Sequence, residues 1–239
     1  MDSLSKELRP RYSLRRRLVI RIGVPLLATF LLMIVVQVKL DSDLFVESIR
    51  QKMRASVQIT CLKAESEFLS IEHAVALQVE IIRSDGEHLS QLESPAATKK
   101  LNLFLATVLK SNPFVFGAAF AFAPGSPGAS ANGFGPYVCR SADGNELRTM
   151  NLALDLKYNF SKAPWFVEAG PEPDGVWSEP YFDEGGGNQF MTTYSMSFAA
   201  GGEVPAGVAT ADVVLADIVK SLESKSNNNQ FDFTVVSGK

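Results

Sequence analysis

LVIRIGVPLLATFLLMIVVQV, residues 18–38, is an apolar run with cations crowded on one side only. Lys6, Arg9, Arg11, Arg15, Arg16 and Arg17 precede it and Arg21 lies in its first turn, whereas Lys39 is followed by Asp41, Asp43 and Glu47. Roughly 20 apolar residues at about 1.5 Å each cover a hydrocarbon core of about 30 Å. Lysine and arginine stay on the cytoplasmic side, so residues 1–17 are expected inside and everything past Lys39 outside. A cleaved secretory signal is the competing reading, but it has an apolar region of about 7–15 residues and a small-residue cleavage site. This run ends in Val35-Val36-Gln37-Val38-Lys39. An uncleaved anchor in the inner or plasma membrane is therefore expected, with Arg21 snorkelling to the headgroups.

Charge supports that layout. Residues 1–21 hold seven basic and two acidic side chains, and the remainder carries 16 basic against 24 acidic, a net of −8. An acidic exterior portion repels nucleic acid, which is set aside as a partner. Cys61 and Cys139 are the only cysteines; two so far apart make no disulfide framework, and both are expected to be small buried residues. His73 and His88 have no Cys or His nearby to complete a zinc site, so no metal or cofactor is expected.

Beyond the anchor, Asp41 to Arg83 contains no Gly or Pro, and apolar residues from Leu44 through Ile49, Met53, Val57 and on to Ile82 recur largely at spacings of three and four. That pattern predicts one long helix, about 60 Å if straight, serving either as a coiled-coil stalk or as a rod that moves during signalling. Ser84-Asp85-Gly86 stops it. Ser94-Pro95 opens a second helix, with Ser as N-cap and Pro in the first turn, ending at Lys110 before Asn112-Pro113. The texture then changes to short strands over Phe114–Phe122, Tyr137–Arg140, Gly175–Tyr181, Asn188–Phe198 and Ala206–Asp212, separated by Gly/Pro/Ser loops. A short helix over Val213–Leu222 and a strand over Phe231–Val236 follow. Helices first and an antiparallel sheet afterwards read as α+β.

Pro164-Trp165-Phe166, Val176-Trp177-Ser178-Glu179-Pro180-Tyr181, Thr192-Thr193-Tyr194-Ser195 and Gly207-Val208-Ala209-Thr210-Ala211-Asp212 stand in that order within Tyr158–Val219. Together, behind an anchor and a long helix, they resemble the membrane-distal half of a double Cache sensor domain, a PAS-like module of bacterial transmembrane receptors. The resemblance implies a cytoplasmic tail over 1–17, a transmembrane helix over 18–38 and a stalk helix over 39–83. It further implies a membrane-distal Cache lobe over 84–223 and, over 224–239, a linker and the first strand of a second lobe. The chain is then expected to be the amino-terminal portion of a longer receptor, whose output module in such receptors is a kinase, a chemotaxis domain, a cyclase or a PPM-type phosphatase.

Sensors of this family hold small solutes against the sheet, and such a site needs aromatic walls plus a few oriented charges. Trp165, Phe166, Trp177, Tyr181 and Tyr194 are the candidate walls. Asp212 matches the family's amine-binding Asp, Asp183 is a second candidate carboxylate, and Tyr158 matches the Tyr that begins the ligand motif. An ammonium group is bound by ring faces and by a carboxylate shielded from water. Each residue also has a plainer reading: Trp177 and the tyrosines as core, Asp212 as an N-cap, Asp183 as a solvated turn. Amino-acid-binding members place an Arg two residues before the Trp to clamp the ligand's carboxylate. Here that position is Ala163, with Lys162 before it, so the expected ligand is a small organic solute, amine or amino-acid-like, with an amine lacking a carboxylate at least as well suited as an ordinary α-amino acid.

Catalysis within these residues is not expected. The glycine runs lack the phosphate-loop pattern, and no serine sits in G-x-S-x-G. Two accounts remain: a small-molecule sensor relaying occupancy through the long helix, or a structural module without an occupied pocket. Both predict a homodimer through that helix.

Overall fold

The computed structural model describes residues 14–84, 92–141, 144, 146–155, 159–184, 187–199 and 205–225, so Tyr158 and the strand expected over Phe231–Val236 lie outside the described residues. The chain divides into two compact units, residues 1–58 and 59–239.

The first unit is helical. It comprises α1 (Leu14–Leu18), a π-helical turn (Val19–Gly23) and the start of α2 (Val24–Ser84). The π turn stands just before Pro25, which has no N–H and whose ring would collide with the carbonyl four residues back; a wider turn relieves that collision. The large apolar side chains from Leu18 to Val57 are exposed, and one helix, Arg16–Ser84, is long and apolar enough to cross a membrane.

The second unit is an antiparallel sheet with its longer helices on one face. Its strands are β1 (Gly117–Phe122), β2 (Pro136–Arg140), β3 (Leu147–Asn151), β4 (Val176–Trp177), β5 (Tyr181–Phe182), β6 (Phe190–Ala199) and β7 (Pro205–Val214). They lie in the order β3-β2-β1-β7-β6-β4, with β5 also pairing β6. Between β3 and β4 come a 3₁₀ turn (Phe160–Lys162) and α4 (Pro164–Val167); α3 (Pro95–Ser111) precedes the sheet and α5 (Leu215–Lys225) closes it. The α+β class and the helix-then-sheet order are as the sequence pattern predicts. α3 begins where its signals stand: Ser94 is the N-cap, its hydroxyl accepting from the Ala97 N–H at 3.3 Å, and Pro95 follows.

Side chains alternate across the sheet, so each strand serves two cores. On one face Phe120, Phe122, Val138, Tyr194 and Phe198 pack against Ile71, Val75, Val79 and Ile82 of α2 and against Leu101, Leu105 and Leu109 of α3. On the other face Ala119, Ala121, Tyr137, Cys139 and Met191 meet Leu152, Phe160 and Trp165. The distal part of α2 is therefore core of the sheet domain, whereas the sequence reading ends the stalk at residue 83. Cys139 is buried as expected, but Cys61, on α2, is exposed.

Candidate ligand-binding site

β1 lies between β2 and β7, and this pairing assembles the site. Ala119 faces Tyr137 on one side and Thr210 on the other, while Gly117 faces Cys139 and Asp212. Asp212 is in turn opposite Thr193 of β6. Ala119, Tyr137, Thr210 and Asp212 thus form the floor of a cavity on the face away from α2. Leu152, Trp165, Tyr181 and Asp183 wall it, and its open volume is about 20 Å³, room for little more than one water-sized group. Among the described residues, no lysine or arginine lines it.

Asp212 is only 6% exposed. Its carboxylate accepts a hydrogen bond from the Thr193 hydroxyl at 2.8 Å, and that hydroxyl lies 2.8 Å from Tyr181 Oη. Thr193 has one proton and gives it to Asp212, so Tyr181 donates to Thr193. Burial, and then the charge of Asp183, push the Asp212 carboxyl up to about 7. Asp183 is also raised by burial, although one of its oxygens accepts from the Gly187 N–H at 2.7 Å. The Tyr137 hydroxyl is raised well above the ordinary phenol range by burial and by Asp212; it feels that carboxylate yet makes no well-aligned hydrogen bond. Cys139, on the same face, is pushed up to about 11, again by burial first and Asp212 second. Two carboxylates and a buried phenol, with no lysine or arginine among the described lining residues, form a site that gains from receiving a cation.

A wider groove of about 630 Å³ adjoins the cavity and shares Trp165, Tyr181 and Asp183 with it. Its remaining borders include Pro164, Glu168, Glu179, Pro180 and Glu184.

Of the residues singled out from the sequence, the structure brings together Trp165, Tyr181, Asp183 and Asp212. Phe166 packs behind Trp165, with ring centroids 5.9 Å apart, and belongs to the core beneath the cavity wall. Trp177 and Tyr194 are on the opposite face. The Trp177 ring packs edge-on against Phe68 at 5.1 Å, its Nε1–H donates to Glu72 of α2 at 2.8 Å, and Tyr194 donates to the Asp174 carbonyl. Asp212 is inside β7, three residues before α5, so it is not a helix cap. Sequence reasoning overlooked Tyr137, Thr193 and Thr210, which no spacing connects to Asp212 before the strand pairing is known.

The model of the methyl-accepting chemotaxis protein-like first PDC sensor domain matches residues 101–220. Among solved structures, an extracellular domain assigned to a histidine kinase, soHK1S-Z6, is 28% identical with a TM-score of 0.47 over 68% of this chain and 66% of that one. Methyl-accepting chemotaxis protein X is 22% identical with a TM-score of 0.46 over 72% of this chain and 68% of that one. The ligand-binding domain of the Campylobacter jejuni chemoreceptor Tlp3, in complex with 4-methylisoleucine, is 14% identical with a TM-score of 0.41 over 70% of this chain and 62% of that one. The chain thus spans about two thirds of the length of these structures. No curated protein matches the chain.

Proposed function

This chain belongs to the family of methyl-accepting chemotaxis protein-like first PDC sensor domains, and on that premise we propose that it binds a small organic ammonium compound between Trp165, Tyr181, Asp183 and Asp212. The family makes it a ligand-sensing domain of signal transduction, of the Cache/PDC type. The observation that carries the ammonium reading is the pair Asp183 and Asp212 on a narrow aromatic-walled cavity that no lysine or arginine lines among the described residues. Ring faces attract a cation, and a carboxylate binds it more strongly where water is excluded. Ala163 stands where amino-acid-binding relatives are expected to carry the carboxylate clamp, so no guanidinium at that position meets a carboxylate on the ligand.

The positive-inside asymmetry of residues 1–21 supports placing the sensor on the outer side of the membrane helix. Occupancy reaches α2 through two contacts. The segment after Trp177 is pinned to β6 by Ser178, whose N–H donates to the Thr193 carbonyl at 2.9 Å and whose Oγ accepts from the Thr193 N–H at 3.0 Å. Trp177 at one end of that segment holds Glu72 of α2, and Tyr181 and Asp183 at the other end line the cavity. The second contact joins Gln78 Nε2 of α2 to the carbonyl of Thr210, 3.4 Å away, on the cavity floor.

Thermal unfolding of the full chain in detergent micelles tests the ligand class. A bound compound raises stability by about 2.7 kcal/mol at a hundredfold excess over Kd, so simple alkylamines are expected to raise the melting temperature while carboxylates and α-amino acids do not. Stabilisation by carboxylates alone overturns the reading. The relay is tested by hydrogen exchange: an amine is expected to increase protection in residues 60–84 as well as around the cavity. Trp177→Phe keeps the ring but removes the Nε1–H to Glu72, and is expected to diminish the effect on the helix. Protection confined to the cavity strands in the unaltered chain would show that the helix is not coupled.

A further inference from the structure

Two acids and a phenol share a space that admits little more than one water-sized group. Asp212 is buried, and the buried Tyr137 hydroxyl beside it has no well-aligned hydrogen-bond partner. Few charged or titratable groups face Asp212. Asp183 comes from the segment after β5, Tyr181 from β5, and Tyr137 and Cys139 from β2. Arg148 of β3 stands opposite Cys139, while β1 contributes Gly117 and Ala119, and β6 the uncharged Thr193. Trp165 of α4 brings no charge, and Glu168, Glu179 and Glu184 border the groove outside. Ionisation of Asp212 in that space is opposed by burial first and by Asp183 second. Both outweigh the hydrogen bonds that favour it, so its carboxyl is held up to about 7. The wall that closes the space is short. Tyr181-Phe182 is a two-residue strand paired with β6, and Asp183 follows it, tied by hydrogen bonds to Gly187, Asn188 and Gln189 of the turn beyond. The wider groove shares Tyr181 and Asp183 with the cavity, so displacement of these residues toward it hydrates Asp212 and takes Asp183 away.

We propose that the domain senses protons as well as a ligand: the wall at residues 181–183 lies closed over a neutral Asp212 and swings into the groove when Asp212 is ionised. Release of the Asp212 proton to water leaves a carboxylate that demands hydration and repels Asp183, and opening meets both demands. A hydrated carboxyl has the ordinary value of 3.8, so the closed wall holds the proton about a thousandfold more tightly than the open one. That difference is the leverage pH exerts on the two forms. The Tyr181–Thr193–Asp212 hydroxyl chain resists opening, because its bonds strengthen when the carboxylate is charged. The order of effects on Asp212 decides the direction, since burial and Asp183 come before the hydrogen bonds. The wall is also one arm of a lever. Ser178, pinned to Thr193 by two hydrogen bonds, is the pivot, and Trp177 on its other side donates to Glu72 of α2. Opening of the wall therefore pulls on the long helix without any solute.

This inference rests on the relay from Trp177 to Glu72 drawn above but not on the ammonium ligand, and its experiment contains no amine. The full chain has two tryptophans. It is prepared with 5-fluorotryptophan and followed by fluorine NMR in detergent micelles, in amine-free buffers from about pH 5 to about pH 9. Trp177→Phe assigns the two resonances. Trp165 walls the cavity and responds to the charge itself, whereas Trp177 lies on the opposite face of the sheet and follows Asp212 only when the wall moves. Both resonances are expected to shift with one midpoint near the Asp212 value of about 7. Asp212→Asn is expected to abolish both shifts. Asp183→Asn removes the repelling charge and is expected to lower the midpoint while keeping the response. A Trp177 resonance that stays fixed in the unaltered chain overturns the proposal, as does a response that survives in Asp212→Asn. An unchanged midpoint in Asp183→Asn overturns the part given to Asp183. Each of these results leaves the ammonium reading standing, because thermal unfolding with amines decides that reading separately.

Discussion

Replacing Asp212 with Asn lowers amine affinity by about 30-fold or more, the cost of roughly 2 kcal/mol or above for removing one partner of a buried, hydrogen-bonded charge pair. The same change raises the melting temperature of the ligand-free protein above pH 7. The two effects share one cause. Asp212 is buried beside Asp183, with Tyr137 and Cys139 on the same face and Arg148 across the sheet beside Cys139, and its carboxyl is pushed up from an ordinary 3.8 to about 7. Between pH 4 and pH 7 the folded state keeps a proton that the unfolded chain has released. The Asp212 contribution to stability is therefore full below about pH 4, declines as pH rises, and is lost above about pH 7. Asn has the same shape and carries no charge, so the variant escapes that decline while its carbonyl oxygen still accepts from Thr193. An ammonium ligand needs the ionised carboxylate, so its apparent affinity for the unaltered chain climbs between about pH 5 and the Asp212 value of about 7 and then levels. Melting curves at pH 5 and pH 8 and calorimetry across that range check both halves. A variant that melts lower at pH 8, or that binds amines as well as the unaltered chain, refutes the role of Asp212.

Gly117→Ala is expected to cripple binding from a position that touches no ligand. Gly117 is the β1 residue over which the Tyr137 ring lies; a Cβ there would stand 2.1 Å from the Tyr137 hydroxyl oxygen and 2.6 Å from two ring carbons. Atoms that close cannot coexist, so the ring must tilt off the strand, and the space open to it is the cavity between Trp165 and Asp212. Overpacking of this kind costs about 1–3 kcal/mol of stability. The displaced phenol also occupies the volume an ammonium group would take, and amine affinity is expected to drop about tenfold or more, since 1.4 kcal/mol is a factor of ten. Melting temperature and calorimetry with n-butylamine read the two consequences separately. Unchanged affinity in a destabilised variant would show that the Tyr137 ring does not border the binding space.

Local chemistry made much of the scaffold legible. Ser94-Pro95 starts α3 because a hydroxyl followed by a residue without an N–H satisfies the first turn, and the helix begins there. The unbroken apolar periodicity after Asp41 foretold a long helix, and the chain is helical through Ser84. β3 escaped notice because Leu-Arg-Thr-Met-Asn is an edge strand without an apolar alternation, shown by its mostly half-buried and exposed side chains.

What could be read from the residues alone was which chemistry is present: a long apolar helix with its charge asymmetry, a capped helix, and aromatic and acidic groups in the order of a sensor family. Which of those groups meet was decided by the fold. Tyr194 and Thr193 are neighbours in β6, and strand alternation requires them to face opposite sides, but it does not say which side is covered by helices and which is left hollow. Only the packing of α2 over one face settled that, sending Tyr194 and Trp177 into the helix-facing core and turning Thr193 toward Asp212. Tyr137 joined the site for the same reason: β2 and β7 are far apart in the chain, and hydrogen bonding of both to β1 is a non-local choice that no short stretch of sequence encodes.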